Sequence, residues 1–106
     1  MKKLYVFVRR DLSRSQQAVQ GAHAVAEFLL KNDWRKHKWD NGTIVMIGVK
    51  NITELWYQVE VILHNNGIYW TEFHELDLGD SLHNLTALAT VLEPHQQELF
   101  KDFRLL

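Results

Sequence analysis

Leu4-Tyr5-Val6-Phe7-Val8-Arg9-Arg10-Asp11-Leu12-Ser13 is the stretch on which the fold turns. Leu4–Val8 is apolar throughout, and every residue after Leu4 is β-branched or aromatic. That composition predicts a strand buried on both faces. Arg9-Arg10-Asp11-Leu12 then reads as a polar strand end and turn. Ser13 stands three residues before Gln16, the spacing of a capping box, and predicts a helix running to about Leu30.

This helix carries small residues and a polar line. At 100° per residue, Gln16, Gln20, His23 and Glu27 fall at roughly 0°, 40°, 340° and 20°. Ala18, Ala22, Val25 and Leu29 fall on the opposite side, near 180–240°. The pattern predicts packing through the small residues, with amide, imidazole and carboxylate pointing elsewhere. A solvated face with a capping role accounts for the same polar line.

The remaining chain alternates in the same way. Asn41-Gly42 marks a turn before a second doubly apolar strand, Thr43–Val49, in which Gly48 permits close approach. Asn51 and Glu54 repeat the capping spacing. Ile52, Leu55, Trp56, Val59, Ile62 and Leu63 give an amphipathic helix that stops at Asn65-Asn66-Gly67. Ile68–His74 is a third strand and Leu85–Leu92 a fourth, joined by the loop 77–84. Pro94 ends the last strand, and His95–Phe103 can close the chain as a helix. The order β-α-β-α-β-β-α predicts one α/β domain over residues 1–106. It has three layers, with helices on both faces of a mostly parallel sheet whose last two strands are antiparallel. The sheet is expected to be four-stranded and mixed.

The chain has 106 residues, 46% of them hydrophobic, with one proline, five glycines and no cysteine. A compact core is within reach, and disulfides and thiolate metal sites are excluded. The apolar run after Met1-Lys2-Lys3 ends at Arg9, too short for a signal peptide, and no stretch approaches a membrane span. The expected location is cytoplasmic. The net charge of −1 conceals an asymmetry, about +6 over residues 1–50 and −7 over residues 51–106. The basic half could attract phosphates, unless the two halves interleave in space.

Four segments together resemble the type-II peptidyl-tRNA hydrolases. The family's Arg-x-Asp-Leu turn is matched by Arg9-Arg10-Asp11-Leu12, and its Gln-Cys-Ala-His-Ala helix motif by Gln20-Gly21-Ala22-His23-Ala24. Its Asp-Ala-Gly loop is matched by Asp77-Leu78-Gly79. Its last strand, which opens on Thr and ends in Pro, is matched by Thr86 and Pro94. The element order agrees, so the resemblance spans nearly the whole chain. The departures are specific. The turn before the first helix is shorter and lacks the family's glycines and lysines. The family's lysine at the helix start falls on Gln16. Ser81-Leu82-His83-Asn84 replaces the small-residue approach to the last strand.

The resemblance implies cofactor-free hydrolysis of the ester between a peptide, or an acylated amino acid, and the tRNA 3′ end. Ester hydrolysis needs a water, a base or orienting group, and donors for the oxyanion. Asp77 is the first choice for the water, Thr86 for a hydroxyl donor and His23 for an imidazole donor. Gln16 offers a neutral amide where relatives place a charge, a weaker donor by roughly half. Arg9, Arg10, Asp11, Arg14, Gln20 and Ser81 complete the expected substrate-binding set. Each has a plainer reading as a turn aspartate, strand threonine, space-filling histidine or cap.

Trp34-Arg35-Lys36-His37-Lys38-Trp39 interleaves cations with aromatics, a composition suited to a phosphate backbone and stacked bases, or to a solvated loop with its indoles packed inward. His74, Asp77 and His83 lack a recognisable ligand framework, so no metal is expected. The expected partners are tRNA and a second copy of the chain, because four tryptophans in a small domain are hard to bury at once. Neither DNA nor a membrane is expected. The competing function is a catalytically silent member of the fold that binds RNA or protein. A third reading is a hydrolase or transferase for another small ester or amide.

Overall fold

The computed structural model describes residues 1–78 and 83–106. Its elements are β1 (Lys3–Arg9), α1 (Arg14–Lys31), β2 (Thr43–Val49), a composite helix α2, β3 (Thr71–His74), β4 (Leu85–Leu92) and a short α3 (Pro94–Gln97). Helix α2 is α-helical over Ile52–Glu54, π-helical over Leu55–Glu60 and α-helical again over Val61–Asn65. A 3₁₀ turn, Glu98–Phe100, follows α3, so the closing helix is shorter than the sequence suggests. β3 begins three residues later than expected: Ile68 packs into the core but gives its N–H to the Leu63 carbonyl at the helix end, and the ladder starts at Thr71.

The strands form one mixed sheet in the order β2-β1-β4-β3. β1 and β2 form the adjacent parallel pair, β3 runs in the same direction, and β4 runs opposite to all three, antiparallel to its neighbours β1 and β3. Helix α1 crosses over from β1 to β2, and α2 crosses from β2 to β3 at the opposite edge, so the sheet is mostly parallel with its last two strands antiparallel, as the sequence predicts. Both β1 faces are covered, which explains why Leu4–Val8 is apolar without alternation.

Helix α1 packs on one face of the sheet against a thin core of Leu4, Val6, Val8, Ala24, Phe28, Ala87 and Ala89. Its expected packing line is rotated. Gln20, Gly21, Ala24 and Phe28 are buried, while Ala18, Ala22 and Leu29 are exposed and Val25 is half-buried. Phe28 decides this orientation: it is the largest apolar side chain on the helix, and Gly21 and Ala24 line up beneath it. A Cβ on Gly21 would sit 2.7 Å from Met46 Cε and 3.3 Å from Val8 Cγ2, so glycine lets the helix approach the sheet closely.

Helix α2 and the C-terminal turns cover the other face. There Tyr5, Phe7, Leu55, Val59, Leu63, Leu88, Leu92 and Phe100 form a thicker core. Phe7 meets Phe100 edge-on at 5.0 Å between ring centroids, and Phe103 closes against both. Trp39, Trp56 and Trp70 are half-buried against the two cores of this one chain, and Trp34 is exposed. Burial of three indoles thus needs no second copy.

The turn chemistry follows the sequence. Ser13 Oγ accepts from the Gln16 backbone N–H, and Asn51 Oδ1 from that of Glu54. Gly67, at φ +64°, takes the left-handed position that ends α2, and Ile68 N–H donates back to the Leu63 carbonyl. The capping box at Ser13 is only half formed, because the Gln16 side chain turns to Gln20 instead.

Candidate functional site

A β-bulge builds the site. Phe73 pairs with Ala87 but His74 pairs with Leu85, so Thr86 is an extra residue on β4. The bulge turns Thr86 toward α1, where it is fully buried. Its hydroxyl donates to Gln20 Oε1 at 2.6 Å. Gln20, also fully buried, donates through Nε2 to Glu75 Oε2 at 3.1 Å and to Gln16 Oε1 at 3.0 Å. Four residues from α1, β4 and the end of β3 are thereby joined.

The direction of this chain is fixed by its chemistry. An ionised Glu75 carboxylate can only accept, so the Gln20 amide must present nitrogen to it. Gln20 then presents oxygen to Thr86, which must donate. Gln16 must present oxygen to Gln20. Its own NH₂ has no partner among the described residues and lies on the exposed rim. Gln16 therefore leaves an outward-facing neutral donor at this position.

Asp77 is exposed just beyond β3, and its backbone N–H reaches Glu75 Oε1 at 3.4 Å. His23, one turn along α1 from Gln20, lies flat on Phe73 with ring centroids 4.4 Å apart and planes within 3°. It joins no hydrogen bond of the network. Ser81 lies outside the described residues, as does Gly79.

The cations do not converge here. Arg9 holds Asp11 with two bonds of 3.0 and 2.8 Å, and its remaining nitrogen donates to the carbonyls of His83 and Leu85. Arg9 and Asp11 thus staple the strand end to the returning chain. Arg10 turns to the far side, donating to the Gly48 carbonyl at 3.1 Å. Its stem crosses Gly48 where a Cβ would meet Arg10 Cδ at 2.5 Å, so the approach that Gly48 permits is by a side chain. Arg10 borders a cavity with Lys50, Glu54 and Asp102, away from Thr86. Arg14 is exposed at the start of α1.

Glu75 is the participant that sequence reasoning missed. A carboxylate two residues before Asp77 carries no motif, and only the bulge brings it beneath Gln20. The opposite face of β3 holds a second polar cluster. His74 bonds Asn84 Oδ1 through Nδ1 at 2.8 Å and Glu72 Oε1 through Nε2 at 2.9 Å. Trp70 Nε1 donates to Glu60 Oε2 at 3.2 Å. Burial, then the hydrogen bond and charge of Glu72, push the Glu60 carboxyl up to about 9. Burial pulls in the same direction at Glu72, but the Glu60 proton and His74 hold it below its ordinary value. Burial lowers His74, and its bonds to Glu72 and Asn84 outweigh this and raise it. Among the described residues no three His, Asp or Glu side chains are placed to hold a metal ion, and no helix is long and apolar enough to cross a membrane.

No family model and no curated protein matches the chain. Among solved structures it is similar to one described as a protein of unknown function, Atu0240 from Agrobacterium tumefaciens strain C58. The TM-score is 0.69 at 12% identity, covering 99% of this chain and 97% of the other. At that identity the likeness is one of fold.

Proposed function

We propose that the chain is a cytoplasmic, cofactor-free hydrolase of the ester bond in peptidyl-tRNA or N-acyl-aminoacyl-tRNA. The observation that carries this reading is the hydrogen-bonded set of Thr86, Gln20, Glu75 and Gln16, with Asp77 beside it. Asp77 orients the attacking water and takes up its proton. The outward NH₂ of Gln16 receives the developing oxyanion. Thr86 and Gln20 act through Gln16 by holding its amide in one orientation. His23 on Phe73 offers a flat wall for the terminal base or the acyl group.

Purified peptidyl-tRNA and three variants test this reading. Native protein cleaves slowly, because a neutral amide replaces a cation at the oxyanion. Gln16→Lys raises the rate by roughly 10²–10³, the worth of one charge-assisted donor in the transition state. Asp77→Asn abolishes cleavage in both backgrounds. A fast native enzyme indifferent to Gln16→Lys would move the oxyanion role to another group, with Arg14, exposed at the start of α1, the next to be tested.

A second reading has its own observation. Thr86 is fully buried and its proton is committed to Gln20, so the hydroxyl does not reach a substrate. A catalytically silent module that binds RNA or protein fits that burial. No cleavage by native protein or by Gln16→Lys selects it. The proposed assembly is a homodimer through the outer face of α1, where Val19, Leu29 and Leu30 are exposed. Sedimentation showing only monomer at tens of micromolar removes that part of the reading.

A further inference from the structure

The basic, tryptophan-rich loop after α1 forms a pocket at the end of the sheet remote from Thr86. The cavity has a volume of about 590 Å³ and is lined by Met1, Lys2, Trp34, Lys38, Trp39 and Asp40. That volume suits a small organic ligand. β1 runs from Lys3 beside the pocket to Arg9 beside the bulge, a span of roughly 20 Å over seven residues. No small molecule bridges the two ends.

The pocket is held by its own bonds. Asn32 Nδ2 donates to the His37 carbonyl at 2.6 Å, and the Asp33 carbonyl accepts from the backbone N–H groups of Lys36 and His37. The His37 ring stacks on Tyr69 at 4.4 Å and 11°. Trp39 commits its indole N–H to the Thr43 carbonyl at 3.3 Å, which sets its ring as a half-buried wall. Trp34 is 42% exposed, more than any other tryptophan here.

The two lysines that line the pocket differ in their pairing. Lys2 pairs with Glu93 at 3.4 Å, Asp33 pairs with Arg35, and Asp40 accepts from the Gly42 backbone N–H. Lys38 has no ion-pair partner among the described residues. Two indole faces beside an unpaired ammonium match a planar aromatic group that carries an anion.

We infer that this pocket binds a nucleotide unit, its base against the tryptophans and its phosphate on Lys38. The unit comes either from a free mononucleotide or from a strand of RNA. The site is independent of hydrolysis at Asp77.

Calorimetry on the full chain tests it, with AMP, adenosine, inorganic phosphate and a short oligoadenylate as probes. AMP is expected to bind with a dissociation constant below about 1 mM, and adenosine or phosphate alone at least several-fold more weakly. Trp34→Ala weakens AMP by roughly tenfold or more, the worth of one base stack. Lys38→Gln weakens AMP and brings it level with adenosine, and because Lys38 is on the surface this variant also reports if Trp34→Ala fails to fold. Asp77→Asn changes neither. Oligoadenylate bound more tightly than AMP, and lost with Trp34→Ala, assigns the site to an RNA strand; equal affinity assigns it to the free nucleotide. No binding of AMP or of oligoadenylate, binding indifferent to Trp34→Ala, or adenosine equal to AMP in the native chain overturns the inference.

Discussion

The two faces of the sheet solve the same burial problem with different materials. Toward α2, large aromatic and aliphatic side chains interlock, and the polar residues of β3 are titratable ones, Glu72 and His74. Toward α1, small side chains let the helix come close, and the buried polar groups are an amide and a hydroxyl that hold no charge. The thick face carries most of the apolar burial. The thin face holds a network whose buried members, Gln20 and Thr86, are neutral and whose direction is set by the Glu75 carboxylate at its edge. Neutral groups at the buried centre help such a network keep one geometry.

The largest expected difference between the faces is apolar. Phe7→Ala should cost about 3–5 kcal/mol in denaturant unfolding, since Phe7 is fully buried against Phe100 and Phe103. A cost near 1 kcal/mol would mean that the thick face does not dominate stability.

Thr86→Val keeps the shape on the thin face and removes one proton. Gln20 Oε1 then lies buried without its donor, at a cost of about 1–3 kcal/mol. Thr86→Ser should restore most of the loss. If Thr86→Val were neutral by chemical denaturation, the network would not be closed as described.

The pH response should come from the α2 face. Glu60, raised to about 9, holds a proton in the folded chain that the unfolded chain releases near the ordinary value of 4.5. Its stabilising contribution is full below about 4.5 and is lost as pH rises toward 9. His74, raised from 6.5, contributes with the same sign at the upper part of this range. Native Tm should therefore fall between pH 6 and 9, and Glu60→Gln should flatten that fall while keeping the bond from Trp70. An equally steep fall in Glu60→Gln would place the response elsewhere. The effect is smaller than the first two because the carboxyl is half in solvent.

The smallest effect belongs to the outer surface of α1. Leu30 is 80% exposed, and in dilute protein, where the proposed dimer is dissociated, Leu30→Lys should change the unfolding free energy by no more than about 0.5 kcal/mol. A larger loss that grows with protein concentration would identify that face as an assembly surface.

The strand boundaries at Thr43–Val49 and Leu85–Leu92 were legible because turn residues flank them and both faces are apolar. The orientation of α1 was not. Ala18, Ala22, Ala24 and Ala26 surround the helix, so small residues alone mark no face, and Phe28 settled the matter through packing. Arg9 and Arg10 are indistinguishable in sequence, yet one staples the strand end and the other crosses Gly48. Gln16, Gln20 and Thr86 were marked by the family resemblance, and their bonding to one another came from the fold. Glu75 entered through a bulge, a register event that leaves no mark in the residue pattern.

The position of β3 has a consequence for amide exchange. β1 pairs on both edges, with β2 and β4. The outer edge of β2 gains a short bridge from Leu105 to Ile47. β3 has four residues and pairs on one side only, among the described residues. Its amides should exchange with deuterium well before those of β1, through an opening that leaves the rest of the sheet intact. That local opening would separate Glu75 from Gln20 and His74 from Asn84 together. The protein thus hangs both of its polar clusters on its least protected strand, and any occupant that pins β3 would slow exchange on both faces at once.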